Sequence, residues 1–169
     1  WPAERAATRL AVLFFHGGWW KAGNKEDRMF LAEALPSEGV AYVSVGYPLM
    51  PGARLRELAE SATLAVDAVA KHLAMVAGHR VPLVLTGNSA GAHLAAYATG
   101  GLAGTAQDAS ARGIVGMCVA SGLYDLGPMR ECFANEWLQL DEDDLIDLAP
   151  IQRLPAASLP MMVAAGALE

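Results

Sequence analysis

Cysteine is nearly missing from this sequence: there are two in 169 residues, Cys118 in an apolar run and Cys132 in a polar stretch. With no C-x-x-C pair, the pattern excludes a disulfide framework and a cysteine zinc site, and both read as ordinary thiols. Basic residues are also scarce. Twelve Lys and Arg stand against eighteen Asp and Glu, for a net charge of −6 and a pI near 5.2. Such a surface lacks the clustered cations that hold phosphate backbones or acidic lipid, so nucleic acid and membrane are not expected partners. No apolar run approaches the roughly 20 residues that span a bilayer. The opening Trp1-Pro2-Ala3-Glu4-Arg5 has neither an initiating Met nor a signal-peptide pattern, which points to a cytoplasmic protein and to a fragment. There is no G-x-x-x-x-G-K-[ST] loop for nucleotide phosphates. Gly100-Gly101-Leu102-Ala103-Gly104 follows a helical pattern and not a strand, the wrong context for a dinucleotide. Repeats, low-complexity stretches and interdomain linkers are absent as well. What the chain has in quantity is apolar residue, 54% before glycine is counted, enough to bury the core of one domain spanning residues 1–169.

That apolar content falls in runs. Leu10 to Phe15, Val40 to Tyr47, Val81 to Thr86, Ile114 to Ala120 and Met161 to Ala165 are near-continuously apolar, as parallel strands covered on both faces require. Helical patterns separate them. Leu58, Ala62, Ala65, Val66, Val69 and Leu73 share one helical face, and Gly78 is placed to end that helix. A shorter helix is predicted from Asp27 to Leu35, before Pro36 and Gly39. The acids Asp141-Glu142-Asp143-Asp144 lack the alternation and Gly of a calcium loop, so they read as a solvated helix start with Asp141 as N-cap. The alternation predicts an α/β class: a doubly wound, mostly parallel sheet with helices on both faces. Ligands of such sheets bind beyond the carboxyl ends of the strands, where strand order reverses.

Gly87-Asn88-Ser89-Ala90-Gly91 lies between the third strand and a small-residue helical run, the setting of a nucleophile elbow. Such a turn holds its serine in strained backbone geometry, and glycines two positions either side let strand and helix approach. Ser89 is the predicted nucleophile. The first strand runs into His16-Gly17-Gly18-Trp19-Trp20. Acyl transfer by serine creates a tetrahedral oxyanion, which needs preorganised donors. The Ala90 N–H and those of Gly17 and Gly18 are the candidates, since no Cβ blocks approach to the glycines. His16 would order that loop by hydrogen bonding.

The H-G-G-x-W loop, the segment Ser44-Val45-Gly46-Tyr47-Pro48-Leu49-Met50-Pro51, the elbow G-N-S-A-G-A-H and Ser121-Gly122-Leu123-Tyr124-Asp125-Leu126 resemble α/β-hydrolases. Within that family they look most like the kynurenine formamidase (arylformamidase) branch, because the esterase and lipase branch usually carries a third Gly where Trp19 stands. The resemblance covers Leu10 to Glu169. It implies a Ser, acid, His triad that hydrolyses a small-molecule substrate, N-formylkynurenine, to formate and kynurenine without metal or organic cofactor. By the family order, Glu169 best matches the acid, with Asp125 as the competing acid or a loop-capping residue. It also implies that N-terminal strands and a His-bearing C-terminal segment lie outside this chain, leaving the fragment nearly inactive. Among the four histidines, His93 reads as structural, and His72 and His79 as surface residues far from the catalytic edge. Trp19 and Trp20 are either substrate contacts or packing residues; Tyr47 and Tyr124 are open in the same way. Two alternatives remain beside the formamidase: a carboxylesterase acting on small acyl esters, and a non-catalytic hydrolase-fold binding protein.

Overall fold

A computed structural model describes residues 8–100, 106–153 and 159–167. Five strands, β1 (Leu10–Phe15), β2 (Val40–Val45), β3 (Leu83–Asn88), β4 (Ile114–Ala120) and β5 (Met161–Ala164), form one sheet in the order β2-β1-β3-β4-β5. Every pairing is parallel. The chain leaves β1 toward one edge of the sheet and leaves β3 toward the other. Strand order therefore reverses between β1 and β3, and the loops after these two strands diverge from a shared crevice.

Burial follows strand position. Ala11, Leu13 and Phe15 of β1 and Leu83 and Leu85 of β3 are fully buried at the centre of the core. α1 (Leu55–Ala77) lays Leu58, Ala62, Val66 and Leu73 on the sheet, the face expected from the sequence spacing. At its start the Glu57 carboxylate accepts from the Arg54 N–H at 2.7 Å. At its end Gly78 takes the left-handed conformation, φ 74°. α2 (Ala90–Gly100) is buried along its whole length. Its run of Gly and Ala, with no charged side chain, is what permits a helix to be enclosed on all sides.

After β3 the sheet is flanked by α3 (Ala106–Ala111) and then by three short helices that follow β4: α4 (Gly127–Arg130), α5 (Asn135–Leu138) and α6 (Glu142–Asp147). The acidic run begins α6 as expected, the Asp141 carboxylate accepting from the Asp144 N–H at 2.8 Å. Asp144 itself is buried and paired with Arg56 at 3.1 Å, tying α6 to α1.

Two expectations are corrected. The helix predicted over Asp27 to Leu35 is instead two 3₁₀ turns, Glu26–Arg28 and Leu35–Glu38, with turns between them. Met29 and Phe30 remain exposed, so the segment has no buried apolar face, and a helix that short does not stand without one. The fifth strand is not covered on both faces: Met161, Met162 and Val163 are all exposed. Among the described residues β5 joins the sheet through its ladder to β4, as an edge strand. Strands β2 and β3 also end two residues away from the sequence estimate, an ordinary offset for element boundaries.

Candidate active site

Ser89 occupies the single position between β3 and α2, with φ 53°. A non-glycine residue in that region is strained, and here the surroundings hold it. The Ser89 N–H donates to the Ala120 carbonyl at 2.9 Å, and the Ser89 carbonyl accepts from Ala92 and His93 at 3.0 and 3.2 Å. The glycines of the pentapeptide are required sterically. A Cβ on Gly91 would sit 2.1 Å from the Phe15 carbonyl oxygen, and one on Gly87 would sit 2.6 Å from the Gly91 carbonyl carbon. Strand and helix thus touch through bare backbone. The Ala90 amide opens α2, so the helical ladder offers it no acceptor.

Across the crevice, Gly17 approaches the elbow closely. A Cβ on it would lie 3.2 Å from Ser89 Cβ and 2.9 Å from Asn88 Nδ2 and O. The loop after β1 and the elbow after β3 are therefore in contact, as the strand order requires.

Residues 18–20 form a run of positive φ: Gly18 at 124°, Trp19 at 55° and Trp20 at 57°. Every carbonyl from residue 16 to 20 is held. Tyr47 Oη donates to the His16 carbonyl at 2.6 Å, and His16 Nδ1 is 2.9 Å from the Gly17 carbonyl, which it serves as donor when Nδ1 carries the proton. Lys21 and Ala22 N–H groups donate to Gly18 at 3.0 and 2.9 Å, and the Met50 N–H to Trp20 at 2.9 Å. Trp137 Nε1 donates to the Trp19 carbonyl at 3.3 Å. With its acceptors fixed, the loop's amide directions are fixed too. His16 thus meets the loop through its own ring, at the Gly17 carbonyl. Burial lowers its pKa below the usual histidine value. Tyr47 is buried beneath it, the two rings stacked with centroids 4.3 Å apart, and burial raises the phenol pKa.

The two tryptophans part company. Trp19 is 42% exposed and lies against Phe133. Trp20 is fully buried, packs edge-on against His93 and donates from Nε1 to His93 Nδ1 at 3.3 Å. Of the two readings open for Trp20, substrate contact or packing, full burial against His93 supports packing. His93 has its other nitrogen, Nε2, 2.9 Å from the Leu148 carbonyl, so both ring positions are occupied. Burial lowers its pKa to about 4. It is a neutral core histidine.

The other histidines do not approach Ser89 either. His72 and His79 are exposed, in the last turns of α1 and just beyond it, at the edge of the sheet opposite the elbow. Asp125 accepts from the Gly127 N–H at 2.9 Å, a loop-capping contact. Tyr124 packs over Gly122, and its hydroxyl is buried without a partner. Glu169 lies outside the described residues. Among the described residues, no group of three His, Cys, Asp or Glu is placed to hold a metal ion. Sequence reasoning missed Trp137 and Phe133: they sit in the irregular stretch after β4, with no periodicity or motif to mark them.

A family profile described as alpha/beta hydrolase fold matches residues 12–160. A kynurenine formamidase from Salmo salar is 32% identical over 148 residues, 88% of this chain and 48% of the relative. One from Danio rerio is 34% identical over 149 residues, again 88% of this chain and 49% of the relative. The chain thus spans about half the length of the curated relatives it matches. Among solved structures, a protein from Silicibacter sp. tm1040 with a provisional thioesterase name superposes with a TM-score of 0.77 at 30% identity, over 96% of this chain and 59% of that one. Esterase B from Lactobacillus rhamnosis shares the fold, with a TM-score of 0.74 at 22% identity over 96% and 58%.

Proposed function

Since the chain belongs to the α/β-hydrolase family, we propose that it carries the nucleophile and the oxyanion donors of a serine hydrolase that cleaves a small amide, most specifically the formamide of N-formylkynurenine. Ser89 Oγ attacks the formyl carbonyl. The N–H groups of Gly17, Gly18 and Ala90 receive the oxyanion, each such donor lowering the barrier by about 3 to 4 kcal/mol. Collapse of the tetrahedral species expels the aryl amine, and water then releases formate from the serine ester. The observation that carries this reading is the approach of Gly17 to within 3.2 Å, at its Cβ position, of Ser89 Cβ. That approach supports reading the loop amides and the Ser89 hydroxyl as parts of one site. No metal or organic cofactor enters the scheme.

A serine hydroxyl becomes nucleophilic only when a positioned imidazole takes its proton. With His93 engaged at both nitrogens and His16 engaged at Nδ1, we assign that base to a histidine outside residues 1–169. The acid that orients it is Glu169, with Asp125 occupied as a loop cap. On this reading the 169-residue chain alone turns over slower by about 10⁶, as expected when one triad member is removed.

The test uses the complete gene product. A fluorophosphonate probe should label Ser89, and S89A should abolish both labelling and hydrolysis. Labelling elsewhere, or full activity in S89A, would reject the mechanism. A second reading, an esterase for small acyl esters, is favoured by a 30% identity over 95 residues to an Oryza sativa protein named a probable isoprenylcysteine alpha-carbonyl methylesterase. The ratio of kcat/KM for N-formylkynurenine to that for p-nitrophenyl acetate separates the two. A complete gene product that binds N-formylkynurenine without turning it over would favour a binding protein instead.

A further inference from the structure

We infer that Trp137 is a positioning residue for the oxyanion-donating loop, acting from the segment after β4 through the Trp19 carbonyl; the inference rests on the hydrolase reading above. The peptide between Trp19 and Trp20 joins two left-handed residues, φ 55° and 57°. Rotation of that one peptide plane changes ψ of Trp19 and φ of Trp20, and would let Trp20 leave the left-handed region for the ordinary β or α regions. Release of that plane would loosen the loop on which the Gly17 and Gly18 amides are held. The donor holding this plane by its Trp19 carbonyl is the Trp137 indole N–H, at 3.3 Å.

The other loop carbonyls are secured from β2's end or from the loop itself, by Tyr47, Met50, His16, Lys21 and Ala22. Trp137 alone among these donors comes from a part of the chain distant in sequence from the loop and from β2. Its ring also engages the loop a second way. Lys21 Nζ lies 4.4 Å from the Trp137 ring centroid, a cation–π contact. Phe133 wedges between the two indoles, 5.2 Å from Trp19 and 5.6 Å from Trp137, centroid to centroid. The half-buried indole thus seats the Trp19 backbone, braces its side chain through Phe133 and caps Lys21.

The experiment compares wild type and W137F in the complete gene product. Phenylalanine keeps an aromatic seat and removes the donor. Two measurements are made: steady-state kinetics, and hydrogen exchange of the peptide covering residues 17–22. The expected result is a kcat lowered about three- to tenfold, the loss of one modest hydrogen bond, with KM within about twofold. Exchange in residues 17–22 should quicken by about the same factor while β1 is unchanged. F133L, which withdraws the wedge but leaves the N–H, should shift both readouts in the same direction and serves if W137F does not fold. Unchanged kcat and exchange, or a loss confined to KM, would overturn the inference, the latter assigning Trp137 to substrate contact. If exchange quickens in W137F but wild type is not labelled at Ser89, the clamp stands and the hydrolase reading falls.

Discussion

His93 states most sharply how a residue's role is decided by its neighbours. It stands one helical turn past the candidate nucleophile, and Trp20 and the Leu148 carbonyl occupy both its nitrogens. Its consequence is for stability. Burial lowers the folded pKa to about 4, while the unfolded chain keeps the ordinary value near 6.5. Between these values the unfolded state binds more protons, so stability is full above pH 6.5 and is lost as pH falls toward 4. The limiting slope is about 1.4 kcal/mol per pH unit for one proton, and His16, also lowered by burial, adds in the same direction. Urea unfolding followed from pH 7.5 to 4.5 should give a falling free energy through that window. A flat profile would mean that His93 is not buried neutral.

At the scale of elements, two glycines that look alike in sequence do different work. Gly91 lets α2 lie on β1, since a Cβ there would meet carbonyl oxygens of Phe15 and His16 at 2.1 and 2.4 Å. Gly78 only ends α1: its φ is 74° and nothing lies within 4 Å of a Cβ placed on it. G91A is therefore expected to destabilise by about 3 kcal/mol or more, because backbone cannot yield as a side chain can. G78A should lose about 1 kcal/mol, the strain of a left-handed L-residue alone. Chemical denaturation of the two variants checks the order; equal effects would contradict the close seating of α2. The 3₁₀ turns at residues 26–38 show the opposite case, where local helical pattern without a surface to pack on fails to make a helix.

For the whole molecule, order should grade from the centre of the sheet outward. β1 and β3 have a strand on each side and pack against α2, whereas β5 is an exposed edge. Native-state hydrogen exchange should be slowest in residues 10–15 and 83–88 and fast in 161–164 and 26–38. Equal protection at β5 would mean that its exposed face is covered in solution. A cavity of about 580 Å³ lies between β2, α1 and the segment near Met29 and Pro36, on the flank away from the elbow. It lies apart from the crevice between β1 and β3, where Gly17 approaches Ser89.

Apolar runs read from the chain located all five strands, and the Leu58 to Leu73 stripe with Gly78 located the long helix, because burial on both faces of a sheet or one face of a helix leaves a local periodic trace. The two motifs were legible for the same reason: a strained turn and a bare-backbone approach admit few residues other than glycine at given spacings. Tertiary structure alone decided the rest. Strand order brought Gly17 beside Ser89; the left-handed backbone at Trp19 and Trp20 sent one ring outward and one inward; Trp137 and Phe133 met the loop across more than a hundred residues of sequence. Contacts of that kind depend on where separate elements pack, and no periodicity in the chain encodes them.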